Sequence, residues 1–105
     1  MLHELLFKNP VFNEGLNVTV RNGDKWMKVN IGDELLIKET GKDEVITKGT
    51  VVMRALYAAH LIPERLLANE HDPSCRSLAG LLAEMKRVYS DFTEDSPVTV
   101  ILFTL

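Results

Sequence analysis

One cysteine, Cys75, is too few for an internal disulfide, so the 105-residue chain must fold without that staple. No stretch approaches the roughly 18 consecutive apolar residues that a membrane span needs. The opening segment, Met1 to Phe7, carries His3 and Glu4, lacks a basic start and is too short for a secretory leader. These absences predict a reducing compartment, the cytoplasm by default, and no membrane partner. An excess of positive charge is missing as well: 12 Lys and Arg stand against 15 Asp and Glu, for a formal net charge of -3. Bulk binding of duplex DNA is therefore not expected, because that mode needs many basic groups against phosphate. Gly-rich phosphate loops, nucleophile elbows and paired metal-binding histidines are all absent, which leaves nucleotide hydrolysis, serine hydrolysis and zinc proteolysis without support. His71 and Cys75 stand four apart, but only His3 and His60 remain to join them and neither has a zinc-ligand spacing, so neither a metal site nor a cofactor is expected.

What remains is enough for one core: 46% of the residues are hydrophobic, and no linker, repeat or charge block marks a boundary, so residues 1–105 read as a single domain. Leu16, Val18 and Val20 alternate with Asn17, Thr19 and Arg21, the pattern of a half-buried strand that puts Thr19 and Arg21 on one face. Asn22-Gly23 favours a tight turn, from which Lys25 to Val29 would return beside that strand, with an open loop as the alternative. A second strand is read over Glu34 to Glu39. Val45 to Tyr57 is long and β-branched, with Gly49 marking an expected bulge or bend. Pro63 suits the start of a short helix to about Ala68. Asp72, before Pro73, is read as the cap of a longer helix whose apolar stripe is Cys75, Leu78, Leu81, Leu82, Met85, Val88 and Tyr89. Val98 to Thr104 is apolar on both faces, as a central strand is. Short strands, two helices and a final strand predict an α+β fold, a small β-barrel with one short and one longer helix.

Four strings in this order, Val18-Thr19-Val20-Arg21, Val29 to Leu35, Leu78 to Tyr89 and the terminal Leu102-Phe103-Thr104-Leu105, resemble an ASCH domain of the PUA-like superfamily, from about Gly15 onward. The resemblance implies a barrel with a cleft beside the strand that ends in Arg21, and RNA or a nucleoside as partner. One branch of the family consists of amidohydrolases that deacetylate acetylcytidine with a lysine, a threonine and a glutamate. Aligned on Arg21, Thr19 matches the threonine and Glu70 is the best candidate for the glutamate, but Leu16 stands where the lysine belongs. Leucine neither attacks a carbonyl nor moves a proton, so the enzymatic alternative requires an altered set, with Lys25 or Lys28 reaching the cleft from a neighbouring strand. A third alternative is a protein-interaction module of phage or prophage origin, where small proteins of this kind occur.

Each candidate has a plainer role. Arg21 has a planar fork that suits phosphate or a base; otherwise it is a surface arginine bridging to Asp24 or Glu34. Thr19 offers a hydroxyl on the same face, or is simply a good strand former. Trp26 beside Lys25 and Lys28 is a stacking platform if exposed and a core residue if not. Asn69-Glu70-His71-Asp72 is either one wall of the cleft, with Glu70 or His71 on the ligand, or a solvated loop before a helix. Cys75 falls in phase with apolar neighbours and reads as buried.

Overall fold

The computed structural model describes residues 1–105, in which β1 (Leu2–Phe7), β2 (Leu16–Asn22), β3 (Glu34–Glu39), β4 (Val45–Ala58), α1 (Glu64–Leu67), α2 (Leu78–Val88) and β5 (Pro97–Thr104) follow in order. Short 3-10 turns cover Lys25–Lys28, Ala59–Leu61 and Pro73–Cys75. The strands form one mixed sheet in the order β1-β3-β4-β5-β2, with β1 parallel to β3 and every other neighbour antiparallel. This is α+β, as the sequence predicts, but the sheet does not close into a barrel: β1 and β2 remain its two edges. No helix is long and apolar enough to cross a membrane.

Strand β5 separates two cores. Val98 and Val100 face one side with Val18, Leu67, Leu81 and Met85, where the helices cover the sheet. Ile101 and Phe103 face the other with Leu5, Phe7, Leu35, Ile37 and Val51, inside the curl of the sheet. Each fully buried Leu or Phe is worth about 1.5–3 kcal/mol over an exposed one, so both faces of β5 hold the fold together. The register pairs Thr19 with Ile101 and Arg21 with Thr99. Asn17 and Thr19 are thereby turned inward and buried, so β2 is covered on both faces rather than half-buried.

Several expectations are revised. Lys25 to Val29 does not return as a strand: Gly23 is left-handed at φ +86° but Asn22 is not, so the two-residue hairpin turn, which needs both, does not form. The chain winds into the 3-10 turn Lys25–Lys28 instead. Asp72 caps only the turn Pro73–Cys75, while Ser77 caps α2 by accepting from the Gly80 amide at 3.1 Å, so Cys75 lies outside the long helix. Pro63 stands at the N-cap of α1. The bulges of β4 fall on either side of Gly49, where its pairing slips against Ile37/Lys38 of β3 and between Val51 and Met53 against β5. Gly49 answers to close approach: a Cβ there would lie 3.0 Å from the Thr104 carbonyl oxygen. Strand β1, which the sequence reading leaves unassigned, is held by a buried bond of 2.8 Å between His3 Nε2 and Asp33 Oδ2 at the foot of β3.

Candidate functional site

The outer edge of β2 is where the site is built. The Val18 amide donates to the Asn69 carbonyl and the His71 amide to the Val18 carbonyl, each at 2.9 Å, a one-residue parallel bridge that docks Glu70 against the strand. Arg76 reinforces it by donating from Nε to the Glu70 carbonyl at 3.0 Å. Glu70 is 3% exposed, and its Oε2 has no hydrogen-bond partner. Burial pushes its carboxyl up to about 8, against the hydrogen bond from the Asp72 amide, with the Asp72 charge adding repulsion and Arg21 and Arg76 pulling the other way.

His71 completes the arrangement. Its Nδ1 lies 3.1 Å from the Val11 carbonyl oxygen, which only accepts, so Nδ1 carries the proton and Nε2 of the neutral ring is an acceptor. Burial holds this imidazole below its usual pKa. Nε2 is 3.2 Å from Glu70 Oε1 without forming a hydrogen bond to it, and Oε1 accepts instead from the Asp72 amide at 3.3 Å. A neutral Glu70, which burial favours, keeps the Asp72 bond at Oε1 and leaves Oε2 without a partner.

Arg21 reaches the same place from the end of β2. Nε donates to Thr19 Oγ1 at 3.1 Å, Nη1 donates to the Leu6 carbonyl at 2.7 Å, and Cζ stands 4.5 Å above the Phe7 ring. It pairs with neither Asp24 nor Glu34. Its guanidinium therefore bridges the two sheet edges where no backbone pairing joins them. Burial lowers its pKa to about 10, which still leaves it charged at neutral pH.

Thr19, Arg21, Glu70 and His71 line one cleft of about 300 Å³, closed on its far side by Leu81, Met85, Val88 and Tyr89 of the α2 segment. Lys25 and Trp26 do not join them. They line a neighbouring hollow with Glu4, Leu6, Arg21, Asn22 and Tyr89. Trp26 is half-buried against the inner core, with Lys28 Nζ 5.4 Å from its ring. Several residues of the cleft escape the sequence reading as site residues, among them Lys8, Asn9, Thr40, Glu84 and Tyr89. Tyr89 carries a signal, since it ends the apolar stripe of the helix yet is 38% exposed at the cleft. Cys75 is buried in the wall, where desolvation pushes its thiol up to about 11.

A mixed five-stranded sheet with helices against one face makes the fold ASCH-like. Among solved structures it is similar to the ASCH domain from Lactobacillus crispatus JV V101, with a TM-score of 0.66 and 13% identity over 83% of this chain. The match spans 62% of that protein's length. No protein-family model matches the sequence, and neither does any curated protein.

Proposed function

We propose that the cleft binds RNA or a modified nucleoside, one base at a time. The observation that carries this reading is the Glu70 carboxyl, buried in the cleft wall, held neutral, and left with an acceptor that nothing in the chain satisfies. An unsatisfied buried acceptor costs about 1–3 kcal/mol, so a ligand that brings a donor relieves it. Every RNA base offers one, as an amino or a ring N–H group. Arg21 supplies a planar cation for phosphate or for a base face, and the ASCH fold supports the choice of RNA. An amide-resolved NMR titration with the four nucleosides, acetylcytidine and short single-stranded RNAs is expected to move Thr19, Arg21, Glu70 and His71. Arg21→Ala should weaken binding about tenfold or more, as loss of a charged hydrogen-bond donor does. Unchanged affinity in that variant places the ligand elsewhere.

A second reading, hydrolysis of an acylated nucleoside, draws support from Lys8. It lines the cleft with Thr19 and Glu70, and so brings an amine to the place where Leu16 offers none. Acetylcytidine incubated with folded protein is then expected to be deacetylated, with Lys8→Met slowing turnover at least about a hundredfold. No turnover above background ends this reading.

A further inference from the structure

The hollow that holds Trp26 is a separate cavity of about 590 Å³, and it meets the Glu70 cleft along Leu6, Arg21 and Tyr89, which line both. Arg21 stands at the junction, its Cζ 4.5 Å from the Phe7 ring on the cleft side and 6.0 Å from the Trp26 ring on the other. Around that ring Lys25 Nζ lies at 6.0 Å and Lys28 Nζ at 5.4 Å, both from exposed side chains. The one carboxylate of the hollow, Glu4, is engaged by Lys38 Nζ at 2.6 Å, so the local balance is cationic. An aromatic ring among cations, one junction away from a base-sized cleft, is the arrangement that takes consecutive nucleotides of a single strand.

We infer that the two cavities form one continuous site for at least two adjacent nucleotides, the first in the Glu70 cleft, the second stacked on Trp26, and the linking phosphate at Arg21 with Lys25 and Lys28 beside it. The inference rests on the reading of the cleft as a base site and narrows it: the preferred ligand is a single-stranded oligonucleotide rather than a free nucleoside. The seam between β1 and β2 supplies the path, because no backbone pairing there bars an extended chain.

Trp26 is the sole tryptophan, so its fluorescence reports the second cavity alone, while the amides of Glu70 and His71 report the first. The probes are the four ribonucleosides and dinucleoside monophosphates carrying uridine on the 5′ or the 3′ side of each. Dinucleotides are expected to bind about tenfold or more tighter than the matching nucleosides and to quench Trp26, as one added stacked base does. Trp26→Leu should erase the difference between dinucleotide and nucleoside. Lys25→Ala with Lys28→Ala, both at exposed positions, should reduce that difference without threatening the fold. Dinucleotides that bind no tighter than nucleosides and leave Trp26 emission unmoved overturn the inference, while nucleoside shifts at Glu70 keep the base site itself. Silence of Glu70 and His71 toward every probe overturns both.

Discussion

Replacing Glu70 by glutamine is expected to favour the folded chain increasingly, relative to the parent, as pH rises from 4.5 to 8. Below pH 4.5 the carboxyl is protonated whether the chain is folded or not. Between 4.5 and about 8 the unfolded chain releases that proton and the folded chain keeps it, so stability falls as pH rises through this window. Each pH unit is worth about 1.4 kcal/mol, which sets a ceiling of roughly 5 kcal/mol. About 2 kcal/mol is the working expectation for this pH-dependent gain, because a buried site relaxes and admits water around a charge, and it corresponds to a rise in Tm on the order of 10 °C. Thermal unfolding of both proteins from pH 4.5 to 9 checks it, and parallel curves refute it. The same variant separates the two functional readings. Its one carbonyl can accept from the Asp72 amide or stand near the place of Oε2, not both, so nucleoside binding should weaken only modestly, whereas any hydrolysis that moves a proton through Glu70 should stop.

Gly80→Ala is expected to destabilise by about 2 kcal/mol, with a fall in Tm on the order of 10 °C, although it places the best helix former inside α2. Propensity alone predicts a gain near 1 kcal/mol. Space decides otherwise: a Cβ at Gly80 would sit 2.2 Å from the backbone oxygen of Ser74. Ser74 has little room to yield, because its amide and hydroxyl both bind Asp72 Oδ1, at 3.0 and 2.9 Å. The helix must then withdraw, taking Leu81 and Met85 out of the core and away from the cleft they wall. Calorimetry on the variant gives the sign directly, and a higher Tm means that propensity has won.

Local patterning made β2, β3, β4, α2 and β5 legible, because apolar periodicity records which face is covered. It failed where a tertiary partner inverts the pattern. In β1 the buried positions are His3, Leu5 and Phe7 while Leu2 and Leu6 are exposed, so a charged partner, Asp33, hides a polar residue and leaves leucines outside. The start of α2 was misplaced because Asp72 and Ser77 are both good caps, and only the fold shows that each has its own element. Barrel closure depends on two edges meeting, and an arginine holding a carbonyl across the gap is invisible in a strand pattern. For the site, facing on β2 was enough to bring Thr19 and Arg21 together, and the density of polar residues at 69–72 pointed to Glu70 and His71. The sequence puts Lys25 in the same cleft only by way of an Asn22-Gly23 hairpin, and Trp26 as an exposed ring beside it; the 3-10 turn sets both in the next hollow. Lys8 and Asn9 lie in a loop with no periodicity to read.

The ladder between β2 and β5 has a bearing on how this surface can diversify. Sliding β2 by a single residue would exchange its two sides, taking Val18 out of the core it shares with the helices and turning Asn17, Thr19 and Arg21 to the opposite face. The frame that builds the core and the frame that lines the cleft are thus one and the same along this strand. Descendants of such a protein are free to trade one side chain for another at these positions, but an inserted or deleted residue between Leu16 and Asn22 would erase the core and the site in one stroke.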